Sequence, residues 1–139
     1  SIDDALAAPG RRVSWFGIRN YQARNFMRDD MTIGDAVLFY HSSCAKPGIA
    51  GIARIASDVY PDELQFDPES EYYDPKSTKE NPRWLTLDVE ALFKCPVVEI
   101  GRLREEPELA GMRVLQKGNR LSITPVEKEE FAFIVRNLL

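Results

Sequence analysis

The segment that most constrains the fold is residues 34–56, in which two apolar stretches flank a short polar one. In residues 36–41 both alternating sets of side chains are largely apolar, which predicts a strand covered on both faces. In residues 49–55 small side chains separate the isoleucines, and Gly51 lies among them. Glycine inside a strand indicates a bulge, a tight bend or close approach by another backbone. The sequence therefore predicts a central antiparallel hairpin with the tight curvature of a small barrel.

The loop between these strands carries chemically versatile side chains. Within residues 41–48 lie the only histidine of the chain, His41, the hydroxyls of Ser42 and Ser43, and Cys44. Loops held by rigid strands are where binding residues tend to collect. The loop is interpreted either as a binding site or as an ordinary hairpin loop with a hydrogen-bonded histidine.

Length and composition exclude several classes of protein. A chain of 139 residues predicts one domain with a core of its own. No apolar run is long enough to span a bilayer, and two aspartates in residues 1–8 stand where a secretory signal would be basic. Cys44 and Cys95 are expected to be free thiols rather than a disulfide or a zinc site. We therefore expect a soluble intracellular protein, cytoplasmic, or nuclear in a eukaryote, with no membrane partner.

Charge is distributed unevenly along this acidic chain, whose formal net charge is -4. Between Asp4 and Asp29 the charged residues are all basic: Arg11, Arg12, Arg19, Arg24 and Arg28. After Asp29, Asp30 and Asp35, the acidic residues cluster between positions 58 and 74. The sequence predicts a local basic patch rather than a surface that coats nucleic acid indiscriminately.

Residues 19–28 have helical periodicity and a polar face. Ala23, Phe26 and Met27 lie on the apolar side. The opposite face carries Asn20, Tyr21, Arg24, Asn25 and Arg28. Asparagine is a poor helix former and two arginines four positions apart repel each other, so helix stability alone does not account for this face. A binding role is one interpretation and a solvated face is the other.

The remaining elements frame this region. A helix beginning after Ser1 is predicted at the start, and residues 60–82 predict a long surface excursion with one short helical turn. Residues 84–90 alternate as a half-buried strand, with Trp84 on its polar face, either packed under the excursion or free to stack on a ligand. Thr124, Pro125 and Glu127 form the pattern of a capping box. The helix it predicts would bury five residues and pack across the hairpin: Val126, Phe131, Ile134, Val135 and Leu138.

Several motifs together resemble one family. They are Trp-Phe-Gly-Ile-Arg-Asn-Tyr-Gln-Ala-Arg-Asn at 15–25, Gly-Asp-Ala-Val-Leu-Phe-Tyr-His-Ser at 34–42, Tyr-Pro-Asp at 60–62, Tyr-Tyr-Asp-Pro-Lys-Ser at 72–77, Pro-Arg-Trp at 82–84 and Leu-Ser-Ile-Thr-Pro-Val at 121–126. With these motifs, nearly the whole chain resembles the EVE domain of the PUA-like superfamily. EVE chains open with a strand of the form Tyr-Trp-Leu followed by Lys-Ser-Glu-Pro. The present sequence starts after that point, so we expect a single EVE domain over residues 1–139 without the family's first strand.

The resemblance implies a fold and a function. The expected fold is α+β, a PUA-like small β-barrel with flanking helices. The expected function is non-catalytic reading of modified bases in DNA or RNA, as the related YTH domain reads methylated adenine. A flipped base, such as a methylated cytosine or adenine, would lie in an aromatic and polar pocket. A monomer that needs no cofactor or metal is expected.

The residue types required of such a reader are present. Aromatic rings for stacking or for pocket walls are expected from Trp15, Tyr21, Phe39, Tyr40 and Trp84. Polar groups for the base edge are expected from Asn20, Asn25, His41, Ser42 and Ser43, and phosphate contacts from Arg19, Arg24, Arg28, Lys46 and Arg83. We expect Trp15, Asn20 and Ser42 to line one cavity. Each residue also has a structural alternative, such as a core tryptophan or a hydrogen-bonded histidine.

Two other functions are considered. A hydrolase acting on a modified nucleoside is suggested by the related ASCH domains, with Cys44 and His41 as the one nucleophile and base pair near the hairpin. A protein-interaction module would require an exposed apolar patch, and the sequence shows no obvious one.

Overall fold

A computed structural model describes residues 1–42, 44–119 and 121–139, so the predicted site residue Ser43 lies outside the described residues. The helices are α1 (Ile2–Ala7), α2 (Tyr21–Asp30), α3 (Ile100–Arg104) and α4 (Lys128–Asn137). The strands are β1 (Arg12–Ser14), β2 (Ala36–His41), β3 (Gly48–Ile55), β4 (Tyr60–Pro61), β5 (Leu85–Thr86) and β6 (Asp88–Glu99). Short 3-10 turns connect them at Pro9–Arg11, Glu63–Phe66, Pro107–Leu109 and Arg113–Leu115.

An antiparallel sheet in the order β1-β6-β3-β2 forms the centre of the fold, and β4 pairs with β5 in a separate ribbon. The predicted combination of helices with antiparallel strands is confirmed. In the described part of the chain β2 lies at the edge of the sheet, so these strands form an open sheet rather than the closed barrel that the resemblance implies. None of the described helices is both long enough and apolar enough to cross a membrane.

The predicted central hairpin is confirmed. β2 pairs antiparallel with β3 from Ala36 opposite Arg54 to His41 opposite Gly48, with a bulge between Phe39 and Tyr40. The two faces of β2 pack against different parts of the core. Leu38 and Tyr40 contact the cluster around Ile49, Leu103 and Ile134, whereas Val37 and Phe39 contact the cluster around Ile2, Ala50 and Ala53.

Gly51 marks a close approach between backbones, as its place in the strand predicts. A Cβ atom at this position would lie 2.5 Å from the carbonyl oxygen of Phe93 on β6 and 3.0 Å from the side chain of Ile2. The register between β3 and β6 shifts between Ile49 and Gly51. The absence of a side chain at Gly51 therefore lets the backbone of β6 and the Ile2 side chain of α1 approach β3 closely.

The helix start near the beginning of the chain was predicted correctly, whereas the one near its end was not. The helix predicted after Ser1 is confirmed as α1, and Ser1 caps it in a capping box with Asp4. The prediction of a capping box at Thr124 is wrong, because α4 begins at Lys128 and is capped by Glu127 together with Glu130. Residues 121–126 precede the helix instead, and Ile123 and Val126 pack against different core clusters. Ile134 is fully buried as expected, but Val135 is exposed, which corrects its predicted burial.

The strand predicted over residues 84–90 is divided at Leu87. β5 pairs with β4, whereas β6 pairs with β1 and β3 and continues to Glu99. Trp84 is buried under the excursion, the first of the two alternatives. Cys44 is exposed, Cys95 is buried and both are free, which confirms that they are not bonded to each other.

Candidate functional site

A cavity of about 1210 Å³ opens between β2 and the segment that leads into α4. Small-molecule sites typically measure about 300–1,000 Å³, so this space is large for a chain of this size. Three predicted site residues line it, namely Trp15, Tyr40 and Ser42. Its apolar wall includes Val37, Leu38, Ile55, Leu87, Val89 and Ile123, and its cationic side chains are Arg104, Lys117 and Lys128.

Trp15 is half-buried and fixed at the cavity wall. Its backbone N–H donates to the carbonyl oxygen of Leu87 at 2.9 Å. Its indole meets the ring of Phe39 edge to face, with 5.6 Å between the ring centroids. Trp15 therefore packs against the core and also lines the cavity. Phe39 is buried behind it and is not among the described residues that line the cavity.

The end of β2 presents two hydroxyls to the cavity. Ser42 is exposed there, and Tyr40 is half-buried. Burial raises the pKa of Tyr40, so its phenol remains neutral and able both to donate and to accept a hydrogen bond. The shared orientation of Tyr40 and Ser42 follows from the strand geometry, because residues 38, 40 and 42 project from the same side of β2.

His41 has a structural contact on the other side of the strand. Its Nε2 atom accepts a hydrogen bond from the backbone N–H of Ile2 at 3.0 Å, so it satisfies one of the N–H groups at the start of α1. Cys44 Sγ lies 4.0 Å from the carbonyl oxygen of His41 and not against its ring nitrogen. Lys46 is exposed in the same loop.

The polar face of α2 belongs to a different surface. Asn20 caps the helix, with its Oδ1 atom accepting from the backbone N–H of Ala23 at 3.1 Å. Asn25 Oδ1 accepts from Nε and Nη2 of Arg24 at 3.1 and 2.8 Å. Among the described residues, Asn20, Tyr21 and Asn25 are not part of the cavity lining. Trp15 and Ser42 therefore both line the cavity, whereas Asn20 does not.

Tyr21 and Trp84 form a stacked pair on this second surface. Their ring centroids lie 4.7 Å apart at an interplanar angle of 26°. The indole N–H of Trp84 donates to Asp74 at 2.8 Å. This bond, the backbone N–H of Lys76 and the nearby Arg83 guanidinium lower the pKa of Asp74. Trp84 is thus a buried support, and Tyr21 is the exposed member of the pair.

The predicted basic residues differ in how their charge is compensated. Arg19 bonds to Asp62 at 3.0 Å, Arg28 bonds to Asp29 at 2.8 Å, and Arg83 lies 3.9 Å from Asp74. The bond from Asp29 also raises the pKa of Arg28. Arg24, by contrast, donates only to neutral acceptors among the described residues.

The guanidinium of Arg24 donates to the carbonyl oxygen of Arg83 and to Asn25, and it lies 4.6 Å from the centroid of the Tyr21 ring. In the described part of the chain these hydrogen-bond acceptors are neutral. Its positive charge is therefore held in place without a bonded carboxylate.

A buried polar network that the sequence did not reveal holds the excursion against Trp84 and against residues 17–19. Gln65 is fully buried: its Oε1 atom accepts from Ser77 and from the backbone of Trp84, and its Nε2 atom donates to the carbonyl oxygens of Asp62 and Trp84. Asp62 accepts from Gly17 N–H at 2.8 Å as well as from Arg19. The Tyr-Pro-Asp motif at 60–62 was the available signal, but no periodicity indicates its burial. Within the described ranges no group of three or more His, Cys, Asp or Glu residues is placed to hold a metal ion.

The EVE domain family matches residues 1–137 of this sequence. The chain belongs to the EVE domain family. It is 40% identical over 143 residues to human thymocyte nuclear protein 1, a match that covers 97% of this chain and 63% of that protein. This EVE domain therefore spans less than two thirds of the length of the curated relatives it matches.

Two solved structures resemble this EVE domain closely. A protein from Pseudomonas putida superposes with a TM-score of 0.92 at 47% identity, covering 98% of this chain and 90% of that one. The human THYN1 protein, solved in complex with DNA that contains 5-methylcytosine, superposes with a TM-score of 0.91 at 39% identity, covering 98% of this chain and 84% of that one. The family predicted from the motifs is confirmed.

Proposed function

We propose that this EVE domain reads modified bases in nucleic acid by holding a flipped modified base, such as a methylated cytosine, in the cavity beside Trp15. The observation that carries the proposal is the likeness to the human THYN1 protein, whose structure contains 5-methylcytosine DNA. The likeness extends over 98% of the present chain. DNA is therefore the first partner to test, and RNA is the second.

The cavity offers the groups that a flipped base requires. Trp15 supplies a ring for stacking, which is worth roughly 1–3 kcal/mol per base. Ser42 and Tyr40 supply hydroxyls for the polar edge, and Val37 and Leu38 supply apolar surface for an added methyl group. Burial of one methyl contributes only about 0.8 kcal/mol, so selectivity requires hydroxyls that the wrong base leaves unpaired.

Basic side chains at the cavity attract the phosphate backbone of the nucleic acid. Arg104, Lys117 and Lys128 line the same space, and Lys46 lies in the adjacent loop. Phosphate contacts from such residues give affinity without sequence information and make it fall with salt. We propose that the cavity sets selectivity and that these cations set the strength of binding, in a monomeric intracellular protein.

The cavity is larger than one base needs, and β2 has an unpaired outer edge beside it in the described residues. We infer that a further extended segment pairs along this edge and completes the small barrel implied by the family resemblance. An unpaired strand edge is a template for such pairing. The part of the cavity near Trp15 and Ser42 would then remain for the base.

Fluorescence anisotropy with matched oligonucleotides tests the proposal. The set contains DNA and RNA strands that differ only at one base, which is cytosine, 5-methylcytosine, adenine or methylated adenine, measured at two salt concentrations. We expect tighter binding to one modified strand at both concentrations. Equal affinity for every strand would contradict the proposal. Mass spectrometry of the recovered strands serves as a control, because a chemically altered base would indicate the hydrolase instead.

A further inference from the structure

Six side chains stack in sequence across the surface between α2 and the 60–82 excursion. We call this set the stacking ladder, and in order its members are Phe16, Tyr72, Arg19, Trp84, Tyr21 and Arg24. The distances between successive members are 6.4, 5.4, 5.6, 4.7 and 4.6 Å, measured between ring centroids or from a guanidinium carbon to a ring centroid. Pairs of aromatic rings and single guanidinium groups thus alternate along one continuous path.

The middle of the stacking ladder is fixed by bonds to the protein. Arg19 bonds to Asp62 and donates through Nε and Nη2 to the carbonyl oxygen of Tyr72. Trp84 is 7% exposed and bonds to Asp74. These interior members have a structural role that accounts for their presence.

The outermost rings of the stacking ladder, Phe16 and Tyr21, are exposed, and the fold gives no comparable reason for them. Phe16 is 54% exposed and Tyr21 is 49% exposed. Arg24 lies against Tyr21 with neutral hydrogen-bond acceptors, so that end combines a ring, a guanidinium plane and an available positive charge. Nucleotide bases stack on aromatic rings and on arginine planes alike, while phosphates pair with the cation.

One end of the stacking ladder starts at the cavity wall. Trp15 lines the cavity, and the next residue, Phe16, projects outward. Gly17 turns the chain here with a positive φ of 83°, and its N–H is held by Asp62. The ladder therefore begins one residue away in sequence from the cavity wall.

We propose that the stacking ladder is a second nucleic-acid site, which binds unpaired nucleotides that flank the base in the cavity. The position of those nucleotides rests on the proposed function, but the loss of affinity for unmodified single strands in ladder variants measures the ladder by itself. Stacking of this kind tolerates any base, because every base has a π face. The ladder therefore adds affinity for unpaired strands without adding preference for a modification.

The test compares variants at the two exposed ends with a matched control. Tyr21→Ala and Phe16→Ala each remove an exposed ring of the ladder, and Phe93→Ala removes a ring that is 48% exposed on β6. Single-stranded DNA of mixed sequence, with cytosine or 5-methylcytosine at one position, is the probe. Tyr21→Phe keeps the ring and should bind as the unaltered protein does. Tyr21→Leu keeps apolar cover over Trp84 and replaces Tyr21→Ala if that variant does not fold.

We expect Tyr21→Ala to weaken binding of both strands about 5- to 100-fold, with the ratio between them unchanged. Phe93→Ala should change affinity by less than about twofold. If both ladder variants bind as Phe93→Ala does, the ladder is not a nucleic-acid site. If the variants lose affinity but the unaltered protein shows no preference for 5-methylcytosine, the ladder is supported and the reading of 5-methylcytosine fails.

Discussion

At the scale of single residues, Asp62 connects the turn after Trp15 to the excursion. Its carboxylate is 1% exposed and accepts from the N–H groups of Gly17 and Leu64 and from Arg19. Asp62→Asn leaves the Arg19 guanidinium without its counter-charge in a partly buried position. We expect the free energy of unfolding to fall by about 3 kcal/mol, measured by urea denaturation. The adjacent exposed variant Glu63→Gln should change it by less than about 0.5 kcal/mol, and equal effects of the two would contradict this account.

Asp74 gives a pH dependence whose sign follows from its bonds. The Trp84 indole N–H, then the Lys76 backbone N–H, lower its pKa below the usual 3.8. A carboxyl group whose pKa is lower in the folded state stabilises the fold above its unfolded pKa and loses that effect as pH falls through the folded pKa. Asp74→Asn should therefore be less stable than the unaltered protein at neutral pH, with the difference shrinking below about pH 3.8. Urea unfolding across pH measures this, and a difference that does not change with pH would contradict it.

At the scale of elements, the start of α4 separates the predicted cap from the observed one. The buried side chain of Glu130 accepts from the backbone N–H of Glu127 at 2.8 Å, whereas Thr124 lies outside the helix. Glu130→Ala should lower the free energy of unfolding by about 1 kcal/mol. Thr124→Ala should lower it by clearly less. Thermal and urea unfolding of the two variants measure this difference. A larger loss of unfolding free energy for Thr124→Ala than for Glu130→Ala would indicate that Thr124 is the cap.

Gly51 in β3 and Gly101 in α3 differ in the space available for a side chain. A Cβ at Gly51 would meet the backbone of β6 at 2.5 Å, whereas one at Gly101 in α3 would have nothing within 4 Å. Gly51→Ala should destabilise the protein by about 1–3 kcal/mol, because β6 must shift. Gly101→Ala should be neutral or stabilise by up to about 1 kcal/mol, since alanine is the better helix former. Equal unfolding midpoints in urea would show that β3 and β6 do not approach closely.

At the scale of the whole molecule, the sequence predicts what depends on local periodicity. The hairpin followed from apolar positions on both faces of residues 36–41, and the polar face of α2 followed from its spacing. The cap at Asn20 was also available locally, because asparagine is a preferred N-cap residue. The helix was expected to begin at Arg19, which placed Asn20 inside the helix rather than at its cap.

The parts that the sequence did not predict depend on contacts between distant segments. Trp84 is buried because Gln65 and Asp74 from the excursion bond to its backbone and indole. Periodicity places it only on the polar face of a strand. The stacking ladder likewise joins residues from positions 16 to 84, so its order appears only in three dimensions. The cavity at Trp15 and Ser42 was anticipated through the family resemblance, but Asn20 was expected there and lies elsewhere.

The most direct test of the central claim is nuclear magnetic resonance spectroscopy of the protein bound to DNA that carries a methyl-labelled 5-methylcytosine. The chain has 2 tryptophans, so their indole signals are readily separated. We expect nuclear Overhauser contacts from the labelled methyl group to protons lining the cavity, including the Trp15 indole, and no contact from that methyl group to the Trp84 indole N–H, which is bonded to Asp74. Contacts to Trp84 or Tyr21 without any to Trp15, or a methyl group that contacts no protein side chain, would contradict the claim that the modified base lies in this cavity.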